Sequence, residues 1–337
     1  MVQKRAIGRD FNHNIFANKS ILVTGGTGSF GKALTTTLLK DTNAKRVIIF
    51  SRDELKQHDM KTSSAFQDPR IRWFVGDIRD KDRLMMAMQG VDLVVHSAAL
   101  KQVDTGEYNP SEFIKTNVYG SQNVVEAAIE RGVSKVIALS TDKASSPINL
   151  YGATKLTADK LFVSANHYGS FKQTIFSVVR YGNVMGSRGS VIPKFLEQDK
   201  NDEPFQITDE RMSRFWITLD TAVNFVLKSF EIMKGGEIFV PQIPSMKIID
   251  LAKAINPNRK IVVTGIRPGE KLHEEMISEH DSHRTIKFKE RYIILRESSE
   301  IEFYDSALAV EHGFAYRSDS NPMQLESQEL KQILDLR

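Results

Sequence analysis

A short apolar run at residues 19–24 breaks at Gly25-Gly26-Thr27-Gly28-Ser29-Phe30-Gly31, after which Leu34, Leu38 and Leu39 recur at helical spacing. Strand, glycine turn and helix in direct succession is the repeating unit of a parallel sheet, because parallel neighbours need a crossover between them. The unit recurs along the chain. Strands are predicted at 46–50, 70–75, 91–96, 133–140 and 174–180, and helices at 32–40, 80–88, 117–131 and 151–167. The strands are apolar without alternation, as strands buried on both faces are. The expected fold is α/β: a Rossmann-type, doubly wound parallel sheet with helices on both faces. After residue 182 the pattern becomes irregular, with Pro193, Pro204, Pro241, Pro244, Pro257 and Pro268 and shorter apolar segments. Three parts are therefore expected: a leader at 1–18, a nucleotide-binding core at 19–182 that includes the reactive residues, and a mainly substrate-binding region at 183–337. Elements of the last part could return to the core, and the region would close over the carboxyl ends of the strands, where such sheets place ligands.

Several function classes are disfavoured. The chain has no cysteine, which excludes disulfides, cysteine-metal sites and thiol catalysis. Its net charge of +4 is small against 46 basic and 42 acidic residues, and no concentrated basic patch suggests nucleic acid. No apolar stretch approaches the roughly 18 residues of a membrane span. The leader lacks the apolar run of a signal sequence, so a cytoplasmic protein is expected. The eight histidines show no ligand spacing such as HExxH, and no metal is expected.

The glycine turn offers GxGxxG from Gly26 and GxxGxxG from Gly25. Either is weak alone, but a strand before it and a helix after it let backbone amides and the helix dipole receive a pyrophosphate. The bland alternative is a tight turn without ligand. At the end of the second strand stands Ser51-Arg52-Asp53-Glu54, where an adenine ribose would be read. A guanidinium at Arg52 suits a 2′-phosphate and favours NADP over NAD. Alternatively, Arg52 is a solvated charge and Asp53 accepts from the ribose. Asp77, beside Ile78 at the end of the third strand, could accept from the adenine amino group.

A proton-transfer set lies further on, in Ser140-Thr141-Asp142-Lys143 and Tyr151-Gly152-Ala153-Thr154-Lys155. Tyr151 and Lys155 stand four apart on one helical face, where an ammonium would favour phenolate and let Tyr151 take a hydroxyl proton. Asp142 and Lys143 add a second acid/base pair, more than simple alcohol oxidation requires. Lys143 is expected to have a depressed pKa through desolvation and the Lys155 charge. The structural alternatives are an exposed strand-end lysine and ordinary helix packing.

On the glycine turn, the helix at Asn117 and the Tyr151/Lys155 pair, the chain resembles the extended short-chain dehydrogenase/reductases. A narrower set resembles the C5-inverting UDP-N-acetylglucosamine 4,6-dehydratases: Ser51-Arg52-Asp53-Glu54, Ala98-Ala99-Leu100-Lys101, Lys115-Thr116-Asn117, Ser140 to Ala144, Pro147 to Lys155, Arg180 to Val184, Gly186 to Val191, Arg267-Pro268-Gly269-Glu270-Lys271 and His312-Gly313-Phe314. The similarity runs from about Lys19 to the C-terminus. It implies a catalytic set of Thr141, Asp142, Lys143, Tyr151 and Lys155. It also implies NADP held by Gly25, Thr27, Gly28, Ser29, Phe30, Gly31, Ser51, Arg52, Asp53, Lys56, Asp77, Ile78, Ala98, Ala99, Lys101, Tyr151 and Lys155. UDP-N-acetylglucosamine would be met by Lys101, Thr141, Asn183, Ser187, Arg188, Val191, Lys194, Arg267 and Glu270, with Arg267 forking to diphosphate oxygens. Met185, Phe195 and Trp216 are expected in the core or the pocket wall.

The resemblance implies an internal redox cycle. Tyr151 takes the 4-hydroxyl proton as hydride leaves C4, Lys143 removes the acidified C5 proton, Asp142 assists as water leaves C6, and hydride returns to C6. Reprotonation from the opposite face inverts C5. Lys143 marks that outcome, since retaining relatives usually carry a glutamate there. The family also implies a homo-oligomer, from dimer to hexamer, and a role in pseudaminic acid or related sugar pathways. The chain departs from it at Asp104-Thr105-Gly106, which replaces a proline-containing turn before Glu107. Rival readings are a retaining dehydratase, a 4-epimerase and a non-catalytic NADP-binding regulator.

Overall fold

The computed structural model describes residues 11–168, 174–187 and 189–334. Strands β1 (Ser20–Thr24), β2 (Arg46–Ser51), β3 (Ile71–Val75), β4 (Leu93–His96), β5 (Lys135–Thr141) and β6 (Ile175–Tyr181) are parallel, in the order β3-β2-β1-β4-β5-β6. The chain winds outward through β2 and β3, then crosses back to β4 on the other side of β1. That reversal opens a crevice at the carboxyl ends of β1 and β4. Every residue of β1 and β4 is buried, as is all of β2 after Arg46. Each fully buried Val, Leu or Ile there is worth roughly 1.5–3 kcal/mol of transfer free energy.

Parts of the later chain join the same sheet. Ile238–Pro241 pairs in parallel with β6, and Arg291–Ile294, Thr285–Phe288 and Leu308–Ala309 then add antiparallel. Among the described residues this makes a ten-stranded sheet. A second apolar cluster, around Phe195, Phe205, Trp216, Met246 and Leu251, belongs to segments that follow β6. Met185 packs against it. At the other end, Phe11 and Phe16 of the segment read as a leader are buried, and Phe16 meets Phe230 edge-on at 5.9 Å.

Local structure departs from expectation in three places. The helix expected from Asn117 begins as a wide π turn over Ile114–Tyr119 before the regular helix Gly120–Arg131. In it, Asn117 accepts from the Leu100 amide at 2.8 Å and donates to the Leu100 carbonyl at 2.9 Å and to Thr154 Oγ1 at 3.0 Å. One side chain thus ties the loop after β4 to the following helix layer. Helix Glu54–Thr62 was not signalled by apolar periodicity, since its stability starts from a cap: Asp53 accepts from the Lys56 amide at 3.0 Å. Helix Val103–Tyr108 contains the Asp104-Thr105-Gly106 departure and was likewise hidden by its polar composition.

Candidate active site

A cavity of about 980 Å³ lies along the carboxyl ends of the parallel strands. Its floor is the glycine turn. A Cβ on Gly25 would sit 2.9 Å from the Ala98 backbone, and one on Gly31 would sit 2.5 Å from Gly26, so both close approaches require glycine. Helix Ser29–Asp41 begins at Gly28 without any side-chain cap, leaving its first amides free to meet an anion. The residues assigned by sequence to the dinucleotide, including Thr27, Ser29, Phe30, Ser51, Lys56, Ile78, Ala98, Ala99 and Lys101, all line this cavity. The cradle fits a dinucleotide pyrophosphate. Asp53 is occupied as a helix cap and pairs with Lys56 Nζ at 2.5 Å, which holds its carboxyl below the usual range. Arg52 lies 3.9 Å from Asp77, which is itself gripped by Arg79 at 2.7 Å. A half-exposed guanidinium therefore stands at the rim of the cavity.

Thr141, Asp142, Lys143, Tyr151 and Lys155 line the same cavity. The turn Asp142–Ala144 leaves β5 directly, and Thr141 Oγ1 donates to Asp142 Oδ1 at 2.9 Å. Helix Leu150–Ser164 presents Tyr151 and Lys155; Asn149 caps it by accepting from the Gly152 amide at 2.7 Å, and Glu107 accepts from the Leu150 amide at 2.8 Å. Glu107 thereby supports the start of the helix that carries Tyr151 and Lys155, across the sequence departure.

Two electrostatic expectations are corrected. Lys143 is not depressed. Burial lowers its pKa, but Asp142 at 3.1 Å and Glu274 at 3.0 Å overcome this and hold it well above the ordinary lysine value. Nor does Lys155 dominate the phenol: its ammonium donates to the Leu139 carbonyl at 2.7 Å. Burial pushes the Tyr151 phenol up to about 12, and the groups that pull it back are the Lys143 charge and a hydrogen bond with Thr141. Asp142 is raised, first by burial, and its Oδ2 is buried without a partner.

Among residues assigned to substrate, Lys101, Thr141, Asn183 and Ser187 line the cavity, whereas Val191, Lys194, Arg267 and Glu270 do not. Arg188 lies outside the described residues. Lys194 Nζ donates to Gln206 at 3.2 Å. Arg267 pairs with Glu270 at 3.2 Å and with Asp104 at 3.4 Å. Asn183 Oδ1 and Ser190 Oγ are buried without partners at the cavity wall, as polar atoms awaiting a ligand would be.

The segment 267–275 is stapled to the reactive turn. Asn149 Nδ2 donates to the Gly269 carbonyl at 2.7 Å and Lys271 Nζ to the Ser145 carbonyl at 2.6 Å. Ser145 and Ser146 donate to Glu275 Oε1 at 3.0 and 2.7 Å. Ser146 sits at φ 41°, a left-handed conformation that these bonds help to hold.

The sequence pattern of the family described as polysaccharide biosynthesis protein matches residues 21–296. The chain belongs to that family. Within it, the chain is 54% identical over 336 residues to a Campylobacter jejuni protein named UDP-N-acetylglucosamine 4,6-dehydratase (inverting), covering 95% of this chain and 98% of the relative. It is 40% identical over 330 residues to a Rickettsia bellii protein named UDP-glucose 4-epimerase, covering 95% and 96%. Among solved structures, Pen from Bacillus thuringiensis superimposes with a TM-score of 0.87 at 40% identity, over 95% of this chain and 98% of that one. The fold is thus that of the family, and the extended short-chain dehydrogenase/reductase resemblance holds.

Three participants in the site escaped sequence reasoning: Arg214, Lys271 and Glu274. Arg214 Nε lies 3.8 Å from Glu274, and Arg214 also approaches Glu270 at 3.8 Å. Lys271 closes the family motif that begins at Arg267 without having been given a role, the hint for Glu274 was the charge that continues past that motif in Leu272-His273-Glu274-Glu275, and Arg214 had no local hint. A charge run usually means a solvated face, and nothing local reveals that Glu274 is 2% exposed. Among the described residues no cluster of carboxylates and histidines could hold a metal ion, and no helix is long and apolar enough to cross a membrane.

Proposed function

We propose that the chain catalyses 4,6-dehydration of UDP-N-acetylglucosamine with inversion at C5, giving UDP-2-acetamido-2,6-dideoxy-β-L-arabino-hex-4-ulose. The observation that carries this reading is the Asp142/Lys143 pair set beside Tyr151 in the wall of the dinucleotide-shaped cavity. When bound, NADP supplies acceptance of hydride from C4 and its return to C6. Everything else is proton handling by the chain.

Tyr151 starts as a neutral phenol held up at about 12 by burial, so it must first give its proton to solvent; the Lys143 charge and Thr141 ease that loss, and the phenolate then receives the 4-hydroxyl proton. Lys143 starts as an ammonium, so a base role at C5 requires it first to lose a proton. Asp142 is the adjacent acceptor, and burial favours its neutral form. The transfer converts an ion pair to an amine and a carboxylic acid, which suits a desolvated site. The amine can then take the C5 proton while Asp142 protonates the C6 hydroxyl that departs as water; once hydride has returned to C6, a solvent-derived proton reaches C5 on the face opposite Lys143, which inverts it. Arg267 and Asn183 would hold the diphosphate and sugar. The setting proposed is cytoplasmic, with a homo-oligomer feeding pseudaminic acid or a related sugar.

Incubation with UDP-N-acetylglucosamine should yield, by NMR, a C6 methyl group, a C4 ketone and an inverted C5. A product with C6 unchanged and C4 inverted would instead establish an epimerase, the second reading favoured by the Rickettsia relatives. C5 retained with C6 reduced would identify a retaining dehydratase.

For the cofactor, Arg52→Ala is expected to weaken NADP roughly 10- to 150-fold, because charged hydrogen bonds contribute roughly 1.5–3 kcal/mol. NAD affinity should hardly change. Fluorescence titration of both dinucleotides measures the difference, and an equal loss for both would remove Arg52 as a 2′-phosphate reader.

A further inference from the structure

Glu274 is a buried carboxylate for which the chemistry above has no task. It precedes strand Glu275–Ile277, and its backbone is fixed on both sides: its amide donates to Ser318 Oγ at 3.0 Å, and the Ser318 amide donates to its carbonyl at 2.9 Å. Its Oε1 meets Lys143 Nζ at 3.0 Å and lies 3.8 Å from Arg214 Nε, while its Oε2 is buried without a partner. A carboxylate so placed costs folding free energy unless its pairing does something in return. Lys143 gains a second anion, on a different element from Asp142. With Asp142 alone, the flexible stem of Lys143 would be tethered only to its own sequence neighbour and could swing away from the cavity wall.

We propose that Glu274 is a positioning residue, which holds the Lys143 amine group between its own carboxylate and that of Asp142 so that it faces the C5 centre. This rests on the role of Lys143 given above. The groups that face Lys143 are Asp142 from its own turn, Tyr151 from helix Leu150–Ser164, Arg214 from strand Ser213–Ile217, and Lys271 and Glu274 from the segment 267–275. Arg214 and Lys271 oppose the ammonium, so the two carboxylates together keep it charged.

The test is Glu274→Gln, which preserves shape and removes the anion. Loss of that anion lowers the Lys143 pKa and raises its neutral fraction, by tenfold for each unit. Labelling with an amine-directed reagent at one pH, followed by peptide mapping, should show Lys143 several-fold more reactive than in the wild type. In turnover, kcat should fall about 100-fold, the scale of a misplaced reacting group, with KM within about threefold. The acid limb of the kcat profile should move to lower pH, and Glu274→Asp should restore its position while recovering part of kcat. Unchanged labelling together with an unchanged acid limb would overturn the proposal. If the Gln variant fails to retain cofactor, Glu274→Asp supplies the comparison: the shortened reach must lower kcat with KM kept, and wild-type kcat there would overturn it. Labelling needs no dehydration, so a wild type that makes no C6 methyl product would sink the proposed function while leaving Glu274 to be decided by labelling.

Discussion

Lys143→Ala is expected to reduce turnover by about 10³-fold or more while the cofactor stays bound. Positioned acid/base groups contribute roughly 10²–10⁴-fold, and Lys143 serves twice. It is proposed to be the C5 base, and its charge is among the groups drawing the buried phenol of Tyr151 back toward the range where it can ionise and then accept a proton as phenolate. The glycine cradle and the β2 rim do not contact it, so dinucleotide affinity should survive. Removing the cation also leaves Asp142 and Glu274, which are 1% and 2% exposed, facing each other across a cavity. One of them should then take up a proton at neutral pH. Turnover in deuterium oxide separates the two contributions: the variant should incorporate no deuterium at C5. Near-normal product formation would strip Lys143 of its role and leave the inverted stereochemistry without an agent.

The second large effect comes from a residue with no side chain. A Cβ on Gly152 would overlap the Lys143 carbonyl oxygen and press on Pro147, since helix Leu150–Ser164 lies directly against the reactive turn there. Gly152→Ala must push the turn and the helix apart. Overpacking of this kind costs roughly 1–3 kcal/mol. A displacement near 1 Å at reacting groups costs about 10²-fold in rate. Activity should therefore fall about 100-fold, with a melting temperature lowered by only a few degrees, about 1–2 °C per kcal/mol for a chain of 337 residues. Parallel assays of product and thermal unfolding check this, and an alanine variant with full activity would show that the turn can yield without consequence.

What could be read in advance followed physical scale. The strands β1, β2, β4, β5 and β6 were visible because burial leaves a nearly uninterrupted apolar string, the edge strand β3 by its apolar content although only Ile71 of it is buried, and the glycine turn because only glycine permits the approach of Gly31 to Gly26. Arg52 and Lys143 could be singled out because they stand at the ends of such strands, where parallel sheets expose side chains to a crevice. Interactions between distant segments left no local mark. The pairing of Lys143 with Glu274 spans from one strand end to a segment more than a hundred residues later, and together with the larger pull of its neighbour Asp142 it holds the lysine's pKa up rather than down. The π turn at Ile114–Tyr119 was invisible for a related reason: its residues have ordinary helical composition, and the bonds Asn117 makes to Leu100 and Thr154 reach outside the helix. Arg267 and Glu270 were grouped with substrate by motif, yet they sit beside the cavity rather than in its wall, with Arg267 already engaged by Asp104.

The segment 267–275 carries Arg267 at one end and Glu274 near the other, and between them it is bonded to Ser145, Ser146 and Asn149. The guanidinium proposed to meet the nucleotide and the carboxylate bonded to Lys143 thus lie on one short stretch of chain. Substitutions that retune the choice of sugar nucleotide in this stretch will carry over into proton transfer, so lineages changing donor must change both at once or repair one afterwards. Grafting the whole stretch with its partner turn at 142–149 is therefore the natural exchange unit, since a single-residue swap at Arg267 would leave the turn bonded to a segment shaped for another donor.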